Sequence, residues 1–203
     1  MQKIAIFGGT FNPPHMGHIR LVKAFEEQKG FDKVLIIPTY LPPHKQSTQL
    51  ASCEDRLQMC RLAFSQPVFE ISDIEVQRGG KSYTYDTLKQ LAKVYKDAQF
   101  YLIIGSDMFL TFHEWRMAEE IFDLCTVCAA LREDDKSLAE LQEYAKKFFP
   151  ERADKLNIVL SDFKPLEVSS TQLRQKIGEG QDVSNLVPKA VLEYINGRGL
   201  YNA

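Results

Sequence analysis

The stretch Gly8-Gly9-Thr10-Phe11-Asn12-Pro13-Pro14-His15-Met16-Gly17-His18 decides how the rest of the chain is read. It follows Ile4-Ala5-Ile6-Phe7, a short unbroken apolar run of the kind that forms a parallel strand buried on both faces. Gly8 and Gly9 are expected to let the backbone turn sharply and come close to a ligand. Pro13 and Pro14 stiffen the loop and delay helix formation, which places a helix start between Met16 and His18. His15 and His18 are three apart, so they face the same way at that start. There the free N–H groups and the positive end of the helix dipole favour an anion, and two imidazoles add tunable donors. A phosphate-binding turn is the resulting prediction.

Two other phosphate-loop signatures are excluded: the Lys-Ser/Thr ending of a Walker loop is absent, and the glycine spacing of the dinucleotide fingerprint is not met. A zinc pair ranks last, because no Asp or Glu lies close to the two His and two ligands do not complete a site. No metal ligand is predicted.

Outward from the loop, Ile19, Leu21, Val22 and Phe25 give a helix one apolar side until Gly30 ends it. Val34-Leu35-Ile36-Ile37 is a second buried strand, so the order strand, helix, strand requires a right-handed crossover and a parallel sheet. Parallel strands place their C-terminal ends together, which brings the stiff loop Leu41-Pro42-Pro43-His44-Lys45 to the edge that carries His15 and His18. Lys45 is read as a phosphate contact there, with His44 beside it.

Ser52 is a candidate cap for a helix with Leu57, Cys60 and Phe64 on one side, read as structural. Val68 to Val76 alternates partly, as an edge strand does, and Arg78-Gly79-Gly80-Lys81 is a turn. In Ser82-Tyr83-Thr84-Tyr85-Asp86-Thr87-Leu88, Thr84 or Tyr85 begins a helix, with Thr84 an ordinary cap on these residues alone. Phe100 to Ile104 is a clear strand closed by Gly105-Ser106-Asp107. If it lies beside the first strand with helices on opposite faces, the two form a switch point where open α/β sheets bind ligands. Trp115, the only Trp, reads alone as core or rim.

Cys125 to Leu131 is a fifth strand, Arg132 to Lys136 a solvated loop, Leu138 to Phe149 an amphipathic helix and Asn157 to Leu160 a short strand. Ser169 or Ser170 caps a further helix that Gly178 and Gly180 end, with Arg174 one turn on from Ser170 and on its side. Pro188 to Tyr201 forms a terminal helix and tail.

A chain of 203 residues with 44% hydrophobic residues predicts one α/β domain over 1–203: an open parallel sheet, helices on both faces and a C-terminal helical portion. The net charge of −2 gives no basic footprint for nucleic acid, so small molecules are the expected partners. No run approaches the ~18 apolar residues of a membrane span, and Met1 leads into the first strand without a signal-peptide pattern, so a cytoplasmic location is expected. The four cysteines read as reduced packing residues. Neither monomer nor homo-oligomer is favoured by the sequence.

Gly8 to His18 resembles the HxGH signature of the nucleotidyltransferase superfamily, and more closely its form in bacterial nicotinate-nucleotide adenylyltransferases, which often carry Asp where this chain has Asn12. The resemblance runs in order along nearly the whole chain. It implies a Rossmann-like nucleotidyltransferase fold and transfer of the adenylyl group of ATP, with Mg²⁺, to nicotinate mononucleotide in NAD biosynthesis. By the same resemblance Gly8, Gly9, Thr10, Phe11, His15, His18, Gly105 and Asp107 bind ATP, with Asp107 reaching a ribose hydroxyl. Ser169-Ser170-Thr171-Gln172-Leu173-Arg174 looks like the superfamily's second motif in its adenylyl-transferring form. Lys45 and Arg174 would assist His15 and His18 at the phosphates. On the acceptor side, Thr84 and the N–H of Tyr85 would meet the nicotinate carboxylate, Trp115 would stack on the pyridine ring, and Arg116, His44 and Lys45 would complete the site. A pantetheine-phosphate adenylyltransferase is the nearest alternative, but it usually has Thr at the first His position and a shorter chain. A nucleotide-sensing module without catalysis is the alternative of another class.

Overall fold

A computed structural model of the chain describes residues 1–42, 50–130, 135–159 and 169–202. The elements in chain order are β1 Gln2–Gly9, α1 Met16–Lys29, β2 Lys33–Pro38, α2 Cys53–Ala63, β3 Phe69–Ile71, α3 Ile74–Arg78, α4 Thr84–Val94, β4 Ala98–Gly105, α5 Ser106–Phe109, α6 Ala118–Leu124, β5 Thr126–Ala130, α7 Asp135–Phe148, β6 Leu156–Val159, α8 Ser170–Gly178 and α9 Lys189–Arg198. The strands form a six-stranded sheet in the order β3-β2-β1-β4-β5-β6. Every pairing in it is parallel.

Alternation along the strands divides the core in two. Ile4, Ile6, Leu35, Ile37, Leu102 and Ile104 pack beneath α4, α5, α6 and α7. Ala5, Phe7, Val34, Ile36 and Ile103 pack beneath α1 and α2, where Val22 and Phe25 are fully buried. Fully burying a side chain of this size stabilises by about 1.5–3 kcal/mol, and a strand that does so on both faces reads as an unbroken apolar run. A third cluster, Met59, Leu173, Val183, Val187, Val191, Ile195 and Tyr201, seats α8, α9 and the tail on α2. This is the C-terminal helical portion.

β1 pairs with β2 on one side and with β4 on the other, and α1 and α6 cover opposite faces. The switch point therefore lies between β1 and β4, at their C-terminal ends. Gly30 ends α1 in the left-handed conformation, as expected of a glycine cap.

The predicted strand over Val68 to Val76 is corrected: β3 stops at Ile71 and α3 follows. Ser72 and Asp73 are helix-starting residues, and the Gln77 amide donates back to the Asp73 carboxylate at 2.9 Å, so helix takes over from partial alternation. Cys60, Cys125 and Cys128 are buried, and burial pushes all three thiols up, that of Cys128 to about 12. These are inert packing residues.

Candidate active site

The Gly8–His18 loop turns at a different place from the one expected. Gly8 and Gly9 are the last residues of β1, and the chain turns at Phe11, whose φ is +48°. The Phe11 ring folds back over Gly9, where a Cβ would lie 3.0 Å from it. Gly9 thus makes room for a ring. That ring is 1% exposed and sits edge-on to Phe7 and Phe64 at 5.6 and 5.9 Å, so its burial offsets the cost of a left-handed non-glycine residue.

α1 begins at Met16, with His15 as its cap residue. The two imidazoles face the same way, their centroids 3.7 Å apart, and His18 lies edge-on to Phe11 at 5.1 Å. The His15 backbone N–H donates to His18 Nδ1 at 3.2 Å. A backbone N–H can only donate, so His18 Nδ1 is the acceptor and the ring N–H lies at Nε2. His15 is 7% exposed, and burial lowers its pKa to about 4, which keeps its ring neutral near pH 7.

The N-terminus of α8 abuts this loop. Ser169 caps the helix, its Oγ accepting from the Gln172 N–H at 3.2 Å while Gln172 Oε1 accepts from the Ser169 N–H at 2.9 Å. Ser170 Oγ donates to the Pro13 carbonyl at 3.0 Å. Arg174 donates from Nη1 to the Asn12 carbonyl at 2.9 Å and from Nη2 to Thr171 Oγ1 at 3.4 Å. Its Nε is buried with no hydrogen-bond partner among the described residues. Gly105 ends β4, the neighbouring strand, Asp107 follows in α5, and a Cβ at Gly105 would come within 2.7 Å of the Asp107 carboxylate. Gly105 therefore lets that carboxylate lie against the strand end.

Thr84 and Tyr85 open α4, whose first N–H groups have no partner within the helix. The start of α4 is fixed from the β2 side, because Ser82 Oγ accepts from the Tyr40 N–H at 2.9 Å and the Ser82 N–H donates to the Leu41 carbonyl at 3.0 Å. Beneath it, Thr87 donates to the buried Glu75 carboxylate at 2.6 Å and accepts from Arg78 at 3.1 Å. Arg116 pairs with Asp86 at 2.7 Å and lies 4.9 Å over the Tyr83 ring. Trp115 is half-buried, 5.0 Å from Phe112. The Tyr85 ring sits beneath Lys89 at 5.5 Å and lines an open groove with Arg78 and Gln77. His44 and Lys45 lie outside the described residues.

Arg56 is the residue that reading α2 as merely structural missed. It is fully buried and donates to the carbonyls of Thr10 at 3.0 Å, Thr39 at 2.6 Å and Tyr40 at 3.3 Å, and to that of Ala51 at 3.2 Å. It joins the loops after β1 and β2. A sequence signal exists: Arg56, Cys60 and Phe64 recur at four-residue spacing, so the cation shares the buried side of the helix.

The parallel sheet, its switch-point loop and the capped helix α8 form the arrangement expected of a nucleotidyltransferase. Consistent with that class, the cytidylyltransferase-like family model matches residues 6–176. A protein of Lactiplantibacillus plantarum named "Probable nicotinate-nucleotide adenylyltransferase" is 36% identical over 201 residues, 98% of this chain and 88% of that one. Its namesake in Lachnoclostridium phytofermentans is 37% identical over 205 residues, 99% of this chain and 100% of the other. The chain belongs to the nicotinate-nucleotide adenylyltransferase family. The Plasmodium falciparum nicotinic acid mononucleotide adenylyltransferase solved with NaAD has the same fold, with a TM-score of 0.76 over 99% of this chain and 98% of that one at 19% identity.

Proposed function

We propose that the protein transfers the adenylyl group of ATP to nicotinate mononucleotide, forming nicotinate adenine dinucleotide and releasing pyrophosphate, a step of NAD biosynthesis. The observation that carries this reading is the junction of the His15–His18 loop with α8, where Ser170 and Arg174 bond the Pro13 and Asn12 carbonyls at the β1–β4 switch point. Two helix N-termini, two imidazoles and a guanidinium meet at one place suited to a polyphosphate.

The nucleophile is a phosphate oxygen of the mononucleotide. It forms a bond to the α-phosphorus of ATP as the bond to the pyrophosphate oxygen breaks, and the electron pair leaves with pyrophosphate. That nucleophile is already an anion and needs no general base, so the protein's work is holding two polyanions in line and stabilising charge on the α-phosphate and leaving group. His18 donates from Nε2, His15 acts as a neutral imidazole, and Arg174 and Lys45 supply positive charge. Gly105 and Asp107 take the nucleoside end.

Among the described residues no group of three or more His, Cys, Asp or Glu could hold a metal ion. Mg²⁺ is proposed to arrive on the phosphates of ATP, where it would neutralise part of their charge.

On the acceptor side, the first N–H groups of α4 at Thr84 and Tyr85 favour a carboxylate on the pyridine ring, and Trp115 supplies a stacking face. A carboxamide would set its own N–H donors against these groups and leave one unpaired, costing ~1–3 kcal/mol. Pyrophosphate release from ATP or CTP, measured against nicotinate mononucleotide, nicotinamide mononucleotide and pantetheine phosphate, tests the proposal. ATP with nicotinate mononucleotide should be the best pair, ahead of the nicotinamide acceptor by at least about tenfold in kcat/KM. Equal use of the two pyridine acceptors would refute the helix-start selectivity, and preference for pantetheine phosphate would refute the acceptor.

A further inference from the structure

The chain's far end reaches its first loop. Tyr201, in the tail after α9, donates its hydroxyl to Asn12 Oδ1 at 2.7 Å, across 189 positions of sequence. The same oxygen accepts from the Ala51 N–H at 3.1 Å. A backbone N–H can only donate, so the amide atom facing both partners is the oxygen and Tyr201 is the donor. Asn12 sits between Phe11, where the chain turns at φ +48°, and Pro13, whose carbonyl holds Ser170.

We infer that Tyr201 is a positioning residue for adenylyl transfer: its hydroxyl fixes Asn12, and through Asn12 the loop that carries His15 and His18. Packing alone does not account for this hydroxyl. The ring belongs to an apolar cluster with Met59, Leu173, Val191 and Ile195, where a phenylalanine would pack as well, and a hydroxyl in such surroundings is unfavourable unless bonded. Tyr201 is also held at φ +65°, a left-handed conformation that disfavours any residue with a Cβ. Burial pushes its phenol up, so the proton that it donates stays in place. The tail reaches the site by a second contact as well. Gly178, the last residue of α8, lies so close that a Cβ there would stand 3.1 Å from the Tyr201 carbonyl. The tail thereby braces both the loop and the helix that supplies Ser170 and Arg174.

This inference rests on the adenylyl-transfer reading, and one experiment separates the two. Pyrophosphate release is measured for the unmodified chain, Tyr201→Phe, Asn12→Ala and the double variant, well below their unfolding midpoints and with folded fraction followed by circular dichroism. Tyr201→Phe should lose about tenfold in kcat with little change in KM for ATP, since a displaced loop still binds phosphate but aligns it poorly. The double variant should be no slower than the slower single one, the coupling expected when one side chain acts through the other. Unchanged kcat in a folded Tyr201→Phe, or losses that add in the double variant, would overturn the inference, as would a Tyr201→Phe that does not fold, since the hydroxyl would then serve folding alone. An unmodified chain that releases no pyrophosphate would refute the adenylyl-transfer reading itself.

Discussion

The two sides of the crevice are built differently. On the side proposed for phosphate, the carbonyls of Thr10, Asn12 and Pro13 are each held by a donor from another part of the chain: Arg56, Arg174 and Ser170. On the acceptor side, the start of α4 is anchored from below by Ser82, Thr87 and Glu75, but its rim is an ion pair between Arg116 and Asp86 whose side chains are 51% and 34% exposed. Hydrogen bonds to charged groups among buried partners are strong, whereas an exposed pair adds little. The side proposed for phosphate is thus held in place by the fold itself, as stabilising a developing charge would require. Adjustment would fall to the side proposed for the acceptor.

The largest effect that would break this contrast is at His18. Removing a donor aimed at charge developing in the transition state costs roughly 3 kcal/mol, so His18→Ala should lower kcat about a hundredfold or more while urea unfolding stays near that of the unmodified chain. Near-native turnover would remove His18 from the chemistry.

His15 makes the rigidity of the phosphate side visible in pH dependence. Its folded pKa of about 4 lies below the ordinary 6.5 because burial disfavours the imidazolium. As pH falls through 6.5 the unfolded chain takes up a proton that the folded chain refuses, so this contribution to stability, complete above that range, declines down to about pH 4. The difference amounts to about 3 kcal/mol, and His15→Gln should flatten that part of a stability profile measured by urea unfolding. An unaltered slope would place the lost stability elsewhere.

Arg174 comes next. Lys keeps the charge but not the planar fork that meets Asn12 and Thr171, so Arg174→Lys should lose about tenfold in kcat/KM for ATP. Full activity would reduce its part to charge alone.

The smallest effect belongs to the acceptor rim, where Arg116→Ala should raise KM for nicotinate mononucleotide by about threefold and leave kcat alone, the scale of an exposed pair worth under about 1 kcal/mol. A fall in kcat as large as that at Arg174 would erase the contrast between the two sides.

What could be read in advance follows the same division between local and distant causes. The strands at Ile4, Val34 and Phe100, the His15–His18 pair and the Ser169 cap have signals within a few residues of themselves, and the structure has each where the pattern puts it. The turn lies at Phe11 and not at the glycines because the reason for Gly9 is a ring two residues on, visible only once that ring is packed. Val68 to Val76 has two competing local signals, and the helix-starting Ser72-Asp73 outweighs the alternation. Arg56 leaves a faint trace in its spacing, but its acceptors at Thr10, Thr39 and Tyr40 come from loops that only the parallel sheet brings together. Tyr201 and Asn12 leave none.

The most direct test of adenylyl transfer is to incubate the unmodified chain with ATP, Mg²⁺ and nicotinate mononucleotide and to quantify dinucleotide and pyrophosphate together. Adenylyl transfer at this crevice predicts nicotinate adenine dinucleotide and pyrophosphate in equal amounts, dependent on both substrates. ATP that binds without release of pyrophosphate, whatever the acceptor, would contradict it and leave a nucleotide-sensing module.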